Sequence, residues 1–158
     1  MELVAEKLTP EAFAPFGDVI ASPQEFGRRY FEDALGNARE KAWPSLSMVL
    51  RPPHPTVPLE AKLMERHEFS SQSFVPIDVA QWLIVVCPHA AGGGPDVSRA
   101  KAFVAGPDQG VTYRMNTWHH GLTVLDRPAR FAVFMWRDGT SGDEEFVPVS
   151  PFTVRVGG

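Results

Sequence analysis

The feature that most constrains this chain is its punctuation. From Leu46 onward the apolar stretches are short, and each stops at proline, glycine or a cluster of Asp, Asn and Ser. Runs of this kind, recurring every ~8–12 residues, describe strands joined by turns. They are expected at Leu46–Arg51, Leu63–Phe69, Gln72–Val75, Gln81–Cys87, Lys101–Ala105, Val111–Met115, Leu122–Leu125, Phe131–Trp136, Phe146–Val149 and Phe152–Val156. Gln81–Cys87 is continuous and apolar, the pattern of a strand covered on both faces. Upstream, Leu3–Ala5 and Asp18–Ile20 read as short strands. Between them Thr9 can cap a brief helix opened by Pro10 and Glu11 and ended by Pro15 and Gly17. Residues 22–45 are irregular, with a basic-aromatic knot at Arg28, Arg29, Tyr30 and Phe31. Strands do not alternate with long helices, which excludes a parallel α/β sheet and leaves a mainly β sandwich or barrel with a few short helices.

Composition agrees. The chain holds 13 Gly and 15 Pro in 158 residues, about 18%, against an average near ~12%. At ~100–200 residues per domain, residues 1–158 form one domain. Fifteen basic residues face 19 acidic ones, a net charge of -4, with no long basic block. No nucleic-acid partner and no anionic membrane surface is expected. The one cysteine, Cys87, sits in an apolar run and reads as a core residue. The opening residues carry neither a basic segment nor a long apolar one, and no apolar run is long enough to cross a bilayer. A soluble cytoplasmic protein is expected. The glycine run Ala91–Pro95 lacks the lysine of a phosphate-binding loop and reads as turn chemistry.

Two clusters could carry chemistry. On a strand, Leu63, Glu65, His67 and Phe69 share one face. If Leu63 and Phe69 face the core, Glu65 and His67 face it too, and a carboxylate there needs a partner or a metal. The competing reading is an exposed structural pair. Gln72, across the Ser70-Ser71 turn, can return to the same cavity. The second cluster runs from Gln109 to His120. Adjacent His119 and His120 point to opposite faces of a strand, so at most one enters the cavity. Trp118 reads as core.

Jointly, two polar residues at i and i+2, a third shortly after and a distant histidine resemble the cupin barrel, an antiparallel jelly-roll. Glu65, His67, Gln72 and His119 would then surround one divalent metal, with Glu in place of the first histidine and Gln in place of the usual carboxylate. Imidazole and oxygen ligands suit Ni, Mn, Fe or Zn. Whole phrases carry the likeness further: Met64-Glu65-Arg66-His67, Gln72-Ser73-Phe74-Val75-Pro76, Ala102-Phe103, Gln109-Gly110-Val111-Thr112-Tyr113 and Trp118-His119-His120. With the opening Thr9–Ile20 and Arg29-Tyr30, the chain resembles the ureidoglycolate lyase family over nearly its whole length. It departs from that pattern in a shortened segment between Ile20 and Arg28, which lacks an Ile-Asn-x-Gly phrase, and in Gly121 where proline often follows the histidine pair.

The resemblance implies a cupin-like barrel, usually homodimeric, that cleaves (S)-ureidoglycolate to glyoxylate and urea during allantoin degradation. Nickel is the associated metal, and no redox cofactor is implied. Such a substrate is a carbinolamide bearing a carboxylate. Its collapse needs a base at the hydroxyl, an acid at the departing nitrogen and a cationic clamp. Glu65, His67 and His119 are the proton-transfer candidates. Arg29, Arg66 and Arg114 are candidate clamps, and Tyr113, Asn116 and Gln72 candidate substrate contacts. Arg66 lies on the strand face opposite His67. The alternatives are an amidohydrolase releasing ammonia, another cupin-type metal enzyme such as an oxygenase, and a cupin that only binds a small ligand.

Overall fold

The computed structural model describes residues 1–157. Twelve strands dominate it: β1 (Glu2–Lys7), β2 (Gly17–Ala21), β3 (Trp43–Arg51), β4 (Leu59–His67), β5 (Gln72–Asp78), β6 (Gln81–Cys87), β7 (Lys101–Ala105), β8 (Gln109–Tyr113), β9 (Trp118–His119), β10 (Thr123–Leu125), β11 (Ala129–Arg137) and β12 (Glu144–Val156). The single α-helix among the described residues, α1 (Pro10–Phe13), has Thr9 as its cap, whose Oγ1 accepts from the Ala12 N–H at 3.2 Å. Such a cap contributes ~1 kcal/mol.

One sheet runs β10-β6-β7-β1-β12-β4-β9, and a β6–β9 pairing closes six of its strands into a barrel. The second sheet, β2-β8-β5-β11-β3, packs against it. The expected barrel is therefore present. Its pairings are antiparallel except at β1, which runs parallel to both β12 and β7.

Two apolar clusters follow from these layers. Leu59, Ala61, Met64, Val85, Trp118, Phe152 and Val154 fill the barrel. Phe13, Phe74, Trp82, Ile84, Phe103, Tyr113 and Phe131 lie between the barrel wall and the second sheet. Strand β6 feeds both, which is why every residue from Trp82 to Cys87 is buried. Cys87 is core as expected, and burial pushes its thiol up to about 12.

Some boundaries differ from the sequence reading, for local reasons. Strand β8 ends at Tyr113 because the Arg114 N–H turns to the Phe16 carbonyl and Asn116 takes a left-handed φ of 65°. The two segments expected around Ser150-Pro151 form one strand. The break survives as a register shift against β4 between Pro148 and Phe152. The four tryptophans divide between core and surface. Trp82 and Trp118 are wholly buried and Trp136 is half-buried, leaving only Trp43 exposed.

Candidate functional site

The register shift in β12 also decides where the polar pair on β4 points. Leu59 and Ala61 face the barrel interior. Lys62 and Leu63 are both exposed, and inward pointing resumes at Met64. The alternation has slipped by one residue, as irregular pairing permits. Glu65 and His67 are thereby carried to the outer barrel wall, toward the second sheet. Leu63 does not flank them inside the core, as the simple alternation required; it is 42% exposed. Phe69 lies beyond the strand and is half-buried.

Strand β9 lies beside β4 with Glu65 and His119 in register. Trp118 enters the barrel and His119 faces the other way, as adjacent strand residues must. Glu65 Oε1 and His119 Nε2 are 3.1 Å apart. His119 Nδ1–H donates to the Thr117 carbonyl at 2.9 Å, so in the neutral ring Nε2 carries the lone pair. That nitrogen is buried and has no hydrogen-bond partner. Two acceptors this close repel unless a proton or a cation lies between them. The His119 ring stacks on Tyr113, centroid to centroid 4.1 Å and 12° from parallel. Tyr113 arrives there because Gly110 lets β8 lie against β5; a Cβ at Gly110 would sit 2.2 Å from the Phe74 carbonyl oxygen. Burial raises the Tyr113 phenol, and the nearby Glu65 carboxylate adds to the effect.

His67 completes the triad. Its ligand atom and those of Glu65 and His119 all lie within 4.8 Å of one another. Burial lowers the His67 imidazole from its ordinary value and the neighbouring His119 lowers it further, while Asp143 and Glu65 oppose this. Burial alone would raise the Glu65 carboxyl. Its interaction with His119 across the 3.1 Å gap, with help from His67 and His120, leaves it below the ordinary value. At neutral pH the site therefore holds a carboxylate beside a neutral His67.

A cavity of about 370 Å³ opens onto His67 and Gln72. Arg39, Asp143, Met135 and Trp136 contribute to its walls. Four buried polar atoms in the described residues lack a hydrogen-bond partner: Arg39 Nε, Gln72 Oε1, His119 Nε2 and Asp143 Oδ2. Three of them line this cavity, and His119 stands next to His67, ring centroids 6.0 Å apart. Unsatisfied buried groups are costly, and their convergence marks a place built for a ligand.

Arg39 and Asp143 were not among the residues the sequence singled out. Arg39 reaches Asp138 at 3.0 Å and Asp143 at 3.6 Å, and donates to the Trp136 carbonyl at 3.1 Å. Asp143 accepts from the Phe69 N–H at 2.6 Å and stands 3.5 Å from His67 Nδ1. Both come from irregular chain, where no periodicity points a side chain anywhere. The other candidate cations lie elsewhere. Arg29 is exposed above the Phe31 ring. Arg66 binds Glu145 and Asn116 Oδ1 and covers Trp118. Arg114 donates to the Ala14 carbonyl. None of the three lines the cavity at His67; the guanidiniums that do are Arg39, largely buried, and Arg137, exposed. Asn116 likewise faces Arg66 rather than the triad. His120 turns away from the triad cavity, with Nδ1 against Thr123 Oγ1 at 3.0 Å. One histidine of the pair enters, as expected.

The ureidoglycolate lyase family model matches residues 1–155. The chain belongs to that family. Its relatives include proteins named putative ureidoglycolate lyase from Agrobacterium fabrum, 40% identical over 98% of this chain and 95% of that one, and ureidoglycolate lyase from Brucella melitensis, 40% identical over 98% and 94%. The Mesorhizobium japonicum ureidoglycolate lyase is 39% identical over 91% of each chain. The metal implied by the resemblance can be tested against these side chains. Two imidazoles, one carboxylate and an amide oxygen are a fitting set for a divalent ion. The unpartnered His119 Nε2 and Gln72 Oε1 are available to it, and the Thr117 carbonyl fixes the His119 tautomer that ligation needs.

Proposed function

We propose that this chain is a single-domain ureidoglycolate lyase that splits (S)-ureidoglycolate into glyoxylate and urea, recovering purine nitrogen from allantoin in the cytoplasm. The whole-length family match carries the reading, and the chemistry of the cavity agrees with it. Among the described residues no helix is long and apolar enough to cross a membrane.

The reaction moves one proton and breaks one bond. The carbinol hydroxyl loses its proton, its oxygen electrons form the glyoxylate carbonyl, and the carbon–nitrogen pair leaves with urea, whose nitrogen takes up a proton. His67, His119, Glu65 and Gln72 would hold a divalent ion such as Ni²⁺. When bound, such an ion would lower the pKa of the substrate hydroxyl and stabilise its charge. Glu65, which would keep a second carboxylate oxygen free, takes the hydroxyl proton and returns it to the departing nitrogen. Its depressed pKa keeps it ionised and ready at neutral pH. Asp143 orients His67 from 3.5 Å. Arg39, with Nε unpartnered, receives the substrate carboxylate at the cavity wall.

Two copies associate through the outer face of β3. Leu46, Met48 and Leu50 alternate onto that face, each at least 60% exposed, on an edge strand. An exposed apolar stripe of this kind favours a symmetric contact.

Product analysis tests the reaction. Purified chain and (S)-ureidoglycolate should give equimolar glyoxylate and urea without free ammonia. Stoichiometric ammonia before urease is added would assign an amidohydrolase instead.

A further inference from the structure

Strand β9 is two residues long, so its backbone ladder alone holds His119 weakly. Just before it, Asn116 sits in a left-handed conformation that costs a non-glycine residue free energy. Something must fix this turn, and one group in contact with it is His89, which has no part in the chemistry above.

Both ring nitrogens of His89 are engaged. Trp118 Nε1 lies 3.1 Å from His89 Nδ1. An indole N–H only donates, so Nδ1 carries the lone pair. The proton of the neutral ring is then on Nε2, which donates to the Asn116 carbonyl at 2.7 Å. Asn116 in turn donates its N–H to the His67 carbonyl at 2.8 Å. The next carbonyl, of Thr117, accepts from His119 Nδ1. One imidazole thus links the indole inside the barrel to a turn that touches His67 on one side and sets the His119 tautomer on the other. Arg66 braces the same turn, through Asn116 Oδ1 and the face of Trp118.

We propose that His89, as its Nε2–H tautomer, is a positioning residue for the lyase reaction, locking the turn at residues 116–118 so that His67 and His119 meet at one centre. The proposal rests on the lyase reading. A shift of ~1 Å at a reacting group costs ~10²-fold in rate, so losing the lock should show in kcat rather than in substrate affinity.

The test uses the full-length chain and three variants. His89→Phe keeps a ring and removes both hydrogen bonds. His89→Gln returns a donor near the Nε2 position, and His89→Asn returns only an acceptor toward Trp118. Imidazole ¹⁵N–¹H spectra of the unsubstituted protein should show His89 protonated at Nε2. The Phe variant should stay folded by thermal unfolding, lose roughly 10–100-fold in kcat and change KM by less than about 3-fold. The Gln variant should recover to within about 5-fold of the parent rate and exceed the Asn variant. A proton on Nδ1, an unchanged kcat in the Phe variant, or a Gln variant no faster than Asn overturns the proposal. Absence of lyase turnover in the parent overturns the functional reading and this role with it. The tautomer signal, which needs no substrate, tells the two failures apart.

Discussion

The candidate site has two halves of different origin. Glu65, His67, Gln72, Tyr113 and His119 stand on strands of both sheets, where neighbouring backbone fixes each Cβ direction. Arg39, Asp138 and Asp143 stand on irregular chain and are held by each other and by main-chain groups. The strand half contains the groups proposed to hold a cation and move a proton. The loop half supplies charge at the cavity wall. Strand positions give precision, and loops tolerate change in what is recognised. Chemistry should therefore fail with the first half and substrate recognition with the second.

The largest effects should come from the strand half. Glu65→Gln removes the proton carrier while keeping shape, and His119→Ala removes the stacked imidazole; each should lower kcat by ~10²–10⁴ with the fold intact. Steady-state kinetics beside circular dichroism checks this, and near-normal turnover in either variant erases the distinction between the halves. Next comes Arg39→Gln, expected to raise KM by roughly 10-fold, about the value of one charge-assisted hydrogen bond, with a smaller change in kcat. A kcat loss matching that of His119→Ala would place Arg39 in the chemistry.

Acid should separate the halves by stability. His67 and Glu65 both have folded pKa values below their ordinary 6.5 and 4.5. In that case the unfolded chain binds protons first, so their contribution is complete above the ordinary values and is lost as pH falls through them. The melting temperature should decline from about pH 6.5 downward, first through His67 and then through Glu65 below about 4.5. In a His67→Gln variant the first decline should be shallower; an identical profile would remove His67 as its source. The smallest effect on activity belongs to β3. Met48→Glu should convert a dimer to monomer in light scattering while changing turnover less than about 2-fold, since surface substitutions are usually near neutral.

Legibility in the sequence followed the same division. Strand Gln81–Cys87 and strand Lys101–Ala105 were readable to the residue, because apolar runs bounded by turn formers leave one interpretation. The pairing of Glu65 with His67 was readable from i, i+2 spacing, and the opposed directions of His119 and His120 from adjacency. Leu63 was misplaced because a register shift obeys the partner strand, β12, and not the local pattern. Arg39 and Asp143 gave no signal. They reach His67 through tertiary contacts, such as the Ala38 N–H to the Phe69 carbonyl, that no local spacing encodes. Of the three arginines offered as clamps, Arg66 lies on the strand face opposite His67 and pairs with Glu145 on the neighbouring strand.

The slip between Ala61 and Met64 has a consequence for how this molecule can change over time. Restoring perfect alternation there, by adding or removing one residue, would leave a barrel that still closes. It would also turn Glu65 and His67 inward, beside Trp118 and Phe152, and Met64 outward. Tolerance to insertion and deletion along β4 should thus be split at one point. Lengths can vary in the turn before Leu59 with little harm, whereas a change of one residue between Lys62 and Glu65 exchanges a catalyst for a container of the same shape.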